Sequence, residues 1–362
     1  MNCSDMRIKT DKARGFCEKL FGAYGFSGDE SKIITDVLLR ADLYGIESHG
    51  IHRLVRYNEE ITSGQVEVKA KPEIVHETGI SACLDANKMM GQLAGVHAMN
   101  IAIEKARVSG CAMVTVRNSN HFGIAGYYSE MAAAQDLIGI SMSNTEAICV
   151  PTFGAQAMTG TNAMAIAMPA EPYHFSYDAS TTVVPRGKLE VFRKKGQPLP
   201  ENWALDANGN PCNDAAVVID NIIAKLGGGI APLGGLGTLH GGHKGFGLSV
   251  IVDLLSAGMS GGLTSNYVNR KTDHAGMCHF FKAIDYGIFG DKAAIKANIS
   301  RFLQEIRDSK KAEGQSRIYT HGERSTEMMK QRVNGEIPVN EKTLDELRII
   351  ANKLGVEELK SC

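Results

Sequence analysis

The spacing of hydrophobic residues divides the chain into helical ends and a strand-rich middle. Near the start, apolar residues at helical spacing predict helices over 11–24 and 29–43, with a third helix after the turn at Ser48-His49-Gly50. Toward the other end, helices are predicted over 293–310, 325–333 and 341–354. The middle instead contains a predicted helix over 89–107 and short β-prone runs over 73–76, 82–85, 112–116, 138–141 and 163–168.

This pattern predicts a mixed α/β (α+β) fold organised as two units. We expect a helical subdomain built from residues 1–72 and 290–362, because short helical blocks at the two chain ends bury more apolar surface together than alone. The central α/β domain, residues 73–289, would be inserted between them.

Charge excludes some functional classes. The chain has 362 residues, of which 43% are hydrophobic, and its 39 basic and 40 acidic side chains give a net charge of −1. Such a chain is long enough to bury a large core, but it has no long-range field to collect phosphates. We therefore expect neither nucleic acid nor a membrane as a partner.

Compartment is indicated by two further features. The N-terminal residues lack the apolar core of a signal peptide, and the longest apolar segment, 246–259, is broken by Asp253. The eight cysteines are dispersed and include no Cys-x-x-Cys pair, which favours reduced thiols. Both features favour a cytoplasmic protein.

The glycine-rich and histidine-rich stretches bear on nucleotide and metal binding. The Gly-x-Gly-x-x-Gly signature of a Rossmann domain is missing, since the nearest run has His240 in place of the third glycine. The glycine-rich stretch 227–247 nevertheless leads into a helical pattern, and anion-binding sites form at helix N-termini. Two His-x-x-His pairs, His49/His52 and His240/His243, have a spacing that suits a divalent metal. Neither pair is followed by a suitable acid and both adjoin glycine, so we predict no metal site and keep a metal-dependent hydrolase or aldolase as the alternative.

Two polar clusters contain residue types suited to proton transfer on a substrate that carries a carboxylate. In the first cluster, Ser48, His49 and Arg53 surround one glycine. An arginine can hold a carboxylate while a nearby histidine transfers a proton. The simpler alternative is an exposed helix start capped by Ser48. The second, Asn118-Ser119-Asn120-His121, follows a β-prone run, where α/β proteins often place ligands. Turn formation explains its asparagines and serine but not His121.

A third polar region extends over 160–169, 176–182 and 186–188. Small residues around Asp178 would let a flat ligand approach the backbone, and the neighbouring hydroxyls could contact a ribose or pyrophosphate. Turns rich in serine and threonine are common, so an ordinary loop is the alternative reading.

Taken together, these motifs resemble the malate/L-lactate dehydrogenase family, whose other members act on ureidoglycolate, diketogulonate and sulfolactate. The resemblance covers nearly the full length and is carried by Ser48-His49-Gly50 with Arg53, Asn120-His121-Phe122-Gly123, Gly160-Thr161-Asn162, Asp178-Ala179-Ser180-Thr181, Gly242-His243-Lys244-Gly245-Phe246-Gly247 and Gly322-Glu323. Where the family commonly has proline before the last Gly-Glu pair, this chain has His321. The resemblance implies a non-Rossmann nicotinamide-binding domain with a largely antiparallel sheet, and a homodimer with active sites near the subunit boundary.

The resemblance also implies roles for individual residues. His121 and His49 become the candidate proton-transfer residues, Arg53 the carboxylate clamp and Ser48 a further catalytic candidate. The cofactor residues it implies are Phe122, Gly123, Thr161, Asp178, Ala179, Ser180, Thr181, Thr182, Lys188, His243, Lys244, Gly322, Glu323 and Arg324. NAD is the expected cofactor and NADP stays open, because no acid can be placed on the ribose 2′-hydroxyl.

We therefore predict a dehydrogenase that exchanges a hydride between a nicotinamide cofactor and a small 2-hydroxy or 2-oxo acid. Malate/oxaloacetate is the first choice; lactate, sulfolactate, ureidoglycolate or diketogulonate are the alternatives within the family. A nicotinamide-binding protein without catalysis is the remaining alternative. A second carboxylate on the substrate needs its own partner, and the sequence leaves Arg56, Arg117 and Lys244 open for that role.

Overall fold

The computed structural model describes residues 5–268 and 276–360. Its strands are β1 (Asp5–Lys9), β2 (Glu73–Glu77), β3 (Ser81–Asp85), β4 (Cys111–Ser119), β5 (Ile138–Ser143), β6 (Ala163–Met168), β7 (Phe175–Ala179), β8 (Ala204–Leu205), β9 (Gly229–Ile230), β10 (Met277–Ile284) and β11 (Glu336–Asn340). Its α-helices are α1 (Thr10–Ala23), α2 (Gly28–Leu43), α3 (Leu54–Thr62), α4 (Gly91–Ser109), α5 (Gly126–Ala133), α6 (Arg186–Lys195), α7 (Ala215–Ala224), α8 (Gly242–Asp253), α9 (Lys292–Asp308), α10 (Glu323–Arg332) and α11 (Glu341–Leu354). Short 3₁₀ turns lie at Glu47–His49, Ile51–Arg53 and Tyr286–Phe289, and a π-helical turn, Leu254–Gly258, follows α8.

A seven-stranded sheet with the order β2-β3-β4-β10-β5-β6-β7 forms the centre of the molecule. Within it β3 and β4 run parallel, whereas the other neighbouring strands are antiparallel. The predicted mixed α/β fold with a largely antiparallel sheet is therefore confirmed.

Alternation along β10 shows how helices cover both faces of this sheet. Phe281 is buried in the main core with residues of α4, whereas Phe280 packs with Met142 of β5 and Val252 of α8. Because successive strand residues point to opposite faces, α4 and α8 cover opposite sides of the sheet.

The two ends of the chain meet in a small sheet of their own. Strand β1 pairs antiparallel with β11, and the main core joins Leu20 and Leu347 of the terminal helices to Val114 of the central sheet. One core therefore spans both predicted units. The division at 72/73 and 289/290 stays a prediction.

The predicted helices and strands are largely where the structure has them, with local differences. The helical pattern predicted from Phe246 onward begins earlier, at Gly242, and β4 continues through Asn118 and Ser119, which the sequence had suggested for a loop. Strands β1, β7, β8, β9, β10 and β11 and helices α6 and α7 were not predicted. No helix in the described ranges is long and apolar enough to cross a bilayer.

The cysteines that the structure describes are all free thiols, namely Cys17, Cys83, Cys111, Cys149, Cys212 and Cys278. The other two, Cys3 and Cys362, lie outside the described residues.

Candidate active site

The loop between α2 and α3 carries Ser48, His49 and Arg53, and a buried carboxylate beneath it fixes its shape. Asp42 at the end of α2 accepts a hydrogen bond from the Ile51 backbone N–H at 2.7 Å. Gly50 lies directly against this carboxylate in an extended conformation, between the two 3₁₀ turns. Because this extended residue separates the two turns, His49 and Arg53 do not share a helix, and the helix predicted after the Ser48-His49-Gly50 turn begins at Leu54.

On this loop His49 is half-buried. The hydroxyl of Ser48 lies 2.9 Å from its Nδ1, so Ser48 contacts the histidine and forms no helix cap. The ring of His49 stacks on that of His121, with centroids 5.6 Å apart and planes 25° apart. Burial and the positive charge of Arg53 lower the pKa of His49 to about 3, so the ring is neutral in the free protein.

His121 is buried just beyond the end of β4. Its Nδ1 lies 2.8 Å from the Tyr57 hydroxyl and 3.4 Å from the Gly123 backbone N–H. Its Nε2 has no hydrogen-bond partner in the described part of the chain. Burial, with the charges of Arg56 and Arg53, holds the pKa of His121 well below its usual range.

The neighbouring Asn120 anchors the His121 segment to the loop before α4. Its side-chain amide donates to the carbonyls of Lys88 and Met89 at 2.9 and 3.1 Å. Gly91 packs so closely here that a Cβ would lie 2.3 Å from the Asn120 carbonyl oxygen. The backbone that presents His121 is therefore tied to α4.

Tyr57 and Gln92 complete the surroundings of His121, and the sequence reasoning missed both. Tyr57 is fully buried, and its oxygen accepts a hydrogen bond from Gln92 Nε2 at 2.9 Å. A signal for Tyr57 existed, because it lies four residues after Arg53 in the same helical segment. Nothing in the local sequence around Gln92 indicates its role.

Arg53 has most of its guanidinium available. Its Nε donates to the Ser48 carbonyl at 2.7 Å, which fixes the side chain against the loop. Neither Nη atom forms a hydrogen bond or ion pair with another described residue. A planar group with two unpaired N–H edges, half-buried beside two histidines, fits a carboxylate.

Phe122, predicted to contact the cofactor, lies inside an aromatic stack. Its ring lies between Tyr128, at 4.7 Å, and His279 of β10, at 4.5 Å with an interplanar angle of 6°. The buried His279 ring lies 2.9 Å from the Ser143 hydroxyl through Nδ1 and 2.8 Å from the Ser119 hydroxyl through Nε2. Burial lowers its pKa to about 3, so this neutral ring supports the segment carrying His121.

The Gly160-Thr161-Asn162 motif joins the sheet to α8. Asn162 Nδ2 donates to Asp253 Oδ2 at 2.7 Å, and Asn144 donates to the other oxygen of that carboxylate at 3.1 Å. The Ser265 hydroxyl also donates to Asp253, at 2.8 Å. Thr161 lies outside this buried network, with its hydroxyl 3.1 Å from that of Thr145.

The stretches predicted to bind the cofactor partly converge near the end of β7. Thr181 is buried, and its carbonyl accepts from the Leu233 N–H at 2.9 Å, which brings the glycine-rich loop beside it. The same loop leads to α8, whose N-terminus has no side-chain cap and presents exposed His243 and Lys244. Of the remaining residues, Ala179 and Ser180 are half-buried, Thr182 is buried and Lys188 is exposed on α6.

Asp178 belongs to β7, and the Gly322-Glu323-Arg324 segment begins with a glycine packed against that strand. Asp178 Oδ2 accepts from the Gly126 N–H at the start of α5 at 2.7 Å. Gly322, in the left-handed region with φ +98°, packs against the β7 backbone. Glu323 is fully buried and its carboxylate pairs with Arg307 and Arg317, whereas Arg324 is exposed. Glu323 thus holds the turn in place through protein contacts of its own.

The described residues contain no group of three or more histidine, cysteine or acidic side chains arranged to hold a metal ion. His52 has a buried Nδ1 without a hydrogen-bond partner, and His240 and His243 are exposed on the glycine-rich loop and the first turn of α8. The absence of a metal site stays a prediction.

Comparison with known proteins places this geometry in a family. Residues 8–348 match the malate/L-lactate dehydrogenase family. The chain is 42% identical to a malate dehydrogenase of Pyrococcus abyssi, over 98% of this chain and 97% of that protein. It is 35% identical to a malate/(S)-sulfolactate dehydrogenase of Methanothermus fervidus, over 97% and 99%. The crystal structure of a malate dehydrogenase from Entamoeba histolytica superposes with a TM-score of 0.93 at 32% identity, covering 98% and 99%.

The fold and these comparisons together define a dehydrogenase outside the Rossmann class. The chain belongs to the malate/L-lactate dehydrogenase family. This membership confirms the predicted family and enzyme class, and it implies a nicotinamide cofactor and a small hydroxy acid as substrate.

Proposed function

We propose that this enzyme interconverts L-malate and oxaloacetate with NAD. The observation that carries the proposal is the open Nε2 of His121, which lies in one half-buried site with His49 and with the unpaired guanidinium edges of Arg53. A proton carrier beside a carboxylate-binding group is what oxidation of a 2-hydroxy acid requires. Support for malate comes from relatives that are named malate dehydrogenases at 41–42% identity.

In this proposal each residue has a distinct task. Arg53 holds the C1 carboxylate, which places the C2 oxygen toward the two histidines. His121 donates a proton from Nε2 to that oxygen during reduction and accepts one during oxidation. His49, stacked on His121 and contacted by Ser48, orients the substrate oxygen. General acid–base help of this kind contributes about 10²- to 10⁴-fold in rate.

The residues around the end of β7 fit a dinucleotide. The uncapped N-terminus of α8, with Gly241 in a left-handed conformation and Lys244 exposed beside it, suits a phosphate. When bound, the nicotinamide carries the hydride. We propose that Thr161, Asp178–Thr182, Lys188, His243, Lys244 and the Gly322–Arg324 turn hold the cofactor, with Phe122 and Gly123 backing it through their buried positions. NAD is proposed over NADP as the default.

We also propose a homodimer, in keeping with the family resemblance. An apolar strip on α8 and the turn after it supports this, since Ile251, Leu254 and Met259 are 45%, 58% and 61% exposed. Light scattering of the purified protein tests it, and a monomer at micromolar concentration would contradict it. The cytoplasmic location stays a prediction.

The experiment that tests the function is an initial-rate assay with NADH and NADPH. Oxaloacetate, sulfopyruvate, pyruvate and diketogulonate are the substrates, with and without a chelator. We expect chelator-insensitive turnover that is fastest with NADH and oxaloacetate. Turnover that is lost with chelator and restored by a divalent metal would support the hydrolase or aldolase alternative instead. No turnover despite measurable cofactor binding would support the non-catalytic alternative.

A further inference from the structure

Three cationic residues were open for a second acidic group on the substrate, and the structure separates them. Arg117 is engaged elsewhere, with Nε 3.0 Å from Asp85 Oδ2 and Nη1 directed to the Ser260 carbonyl. Lys244 is exposed on the first turn of α8, among the residues proposed for the cofactor. Arg56 instead lies on α3, three residues after Arg53 and next to Tyr57, which contacts His121.

Arg56 is held in a way that leaves part of its guanidinium free. Its Nε donates to Glu60 Oε1 at 2.5 Å, one helical turn further along α3. Neither Nη atom has a hydrogen-bond or ion-pair partner within the described residues. Glu60 is buried and its other oxygen, Oε2, has no hydrogen-bond partner, so this carboxylate anchors the base of the guanidinium and leaves its outer edge unpaired.

The charge of Arg56 acts directly on the candidate proton-transfer residue. Among charged groups it has the largest effect on the pKa of His121, which it lowers, and it lowers the pKa of Arg53 as well. Two arginines that repel one another beside a buried histidine, with one carboxylate in contact, leave the site with a net positive charge. A substrate with two negative charges, together with a protonated His121, brings this site to neutrality.

We propose that Arg56 binds the second anionic group of the substrate and so selects 2-oxo and 2-hydroxy acids that carry two negative charges. The inference rests on the proposed function, in which Arg53 holds the C1 carboxylate. A carboxylate or sulfonate group on C3 shares the required chemistry, namely a planar or tetrahedral oxyanion within reach of the free Nη atoms. A monoanion such as pyruvate leaves Arg56 without a partner.

The test replaces Arg56 in two ways. Arg56→Gln removes the charge but strands the buried Glu60, so the double variant Arg56→Gln/Glu60→Gln removes both charges and keeps similar side-chain volumes. Arg301→Gln is the matched control, because Arg301 also pairs with a glutamate four residues on, at 2.6 Å, but is exposed on α9. Thermal melting of each variant reports whether the fold is retained.

Two readouts measure selectivity. The first is kcat/KM for oxaloacetate, sulfopyruvate and pyruvate. The second is the competitive inhibition constant of tartronate, which has two carboxylates, and of oxamate, which has one. In the double variant we expect kcat/KM for both dianionic substrates, and affinity for tartronate, to fall about 10- to 100-fold, the usual loss for a charge-assisted hydrogen bond. Values for pyruvate and oxamate should change less than about threefold, and the control should match the unmodified enzyme. A loss confined to oxaloacetate or to sulfopyruvate identifies the anionic group that Arg56 binds.

Several outcomes would overturn the proposal. Equal losses for tartronate and oxamate in a folded double variant would make Arg56 a structural residue, and unchanged constants would leave it no role in selection. An unmodified enzyme that prefers pyruvate would reject the second charge while keeping the dehydrogenase function. Absence of turnover by the unmodified enzyme with every substrate would instead reject the proposed function itself.

Discussion

The hydroxyl of Tyr57 lies 2.8 Å from Nδ1 of His121. Gln92 donates to the same tyrosine oxygen, and the Gly123 N–H lies 3.4 Å from Nδ1. For Nε2 to accept a proton from the substrate, the neutral ring must carry its own proton on Nδ1, where the Tyr57 oxygen can accept it. The charged ring keeps this contact, so Tyr57 can pair with both protonation states.

Tyr57→Phe tests this arrangement. The ring and its packing stay, but Nδ1 loses its oxygen partner, so we expect kcat to fall about 10- to 100-fold while KM changes little. Tyr24→Phe is the control. The Tyr24 hydroxyl donates at 2.6 Å to Asn58, which lies on α3 beside Tyr57, and Tyr24 contacts neither histidine. The measurement is kcat and KM of both variants in steady-state assays. Equal effects of the two substitutions would show that Tyr57 acts only through stability.

The pH dependence of malate oxidation follows from the depressed pKa of His121. The base must be neutral to accept a proton, and burial with Arg56 and Arg53 keeps it neutral down to well below pH 6.5. We expect kcat/KM for malate, which reports the free enzyme, to stay level from about pH 8 to 6.5 and to fall only at lower pH. In Arg56→Gln/Glu60→Gln the acid limb should move to higher pH. An acid limb centred above pH 7 in the unmodified enzyme would argue against His121 as the base.

Gly50→Ala should displace the loop that carries His49. A Cβ at this position would lie 1.8 Å from Asp42 Oδ1, so either the loop carrying His49 or the carboxylate must move. We expect a loss of kcat/KM of at least about 10-fold and a lower melting temperature. Gly15→Ala in α1, where a Cβ meets nothing within 4 Å, should keep full activity and gain slightly in stability. Normal activity of Gly50→Ala would mean that the loop tolerates displacement.

Asp42→Asn should alter how stability depends on pH. Burial raises the pKa of Asp42 to about 7, with Glu47 adding to the rise and Ile51 N–H and Arg332 opposing it. Since the folded value exceeds the unfolded one, the folded state holds the proton longer, and stability is lost as pH rises from about 4 through 7. The slope for one proton is at most about 1.4 kcal/mol per pH unit.

Urea denaturation between pH 5 and 8 measures that slope. We expect the free energy of unfolding of the unmodified protein to fall toward pH 8 relative to Asp42→Asn. The exposed Asp345→Asn should follow the unmodified curve. Parallel curves for Asp42→Asn and the unmodified protein would place the pKa of Asp42 near its unfolded value.

Local patterns were sufficient for much of the fold. The spacing of apolar residues predicted α11 over 341–354 and β6 over 163–168 with the bounds that the structure has. Such elements bury one face through contacts that their own periodicity encodes. By contrast β10 was missed, because its burial depends on β4 and β5, which are more than a hundred residues away in sequence.

The candidate site divides in the same way. His49, Arg53 and His121 are recognisable because each is a reactive residue type in a polar turn. Gln92 and His279 are not, since each acts through a partner far away in the chain, Tyr57 and Phe122. Side chains that support a reactive group leave no local signal when the contact is made by folding alone.

The position of β10 also sets an order of assembly during synthesis. Because β10 lies between β4 and β5, the sheet stays divided until the segment beginning at Met277 has left the ribosome. Until then Ser119 and Ser143 lack the imidazole that joins them, and Phe122 lacks one of its stacking partners. A nascent chain stalled before this strand should therefore expose two unpaired strand edges to chaperones, although most of the site residues have already been translated.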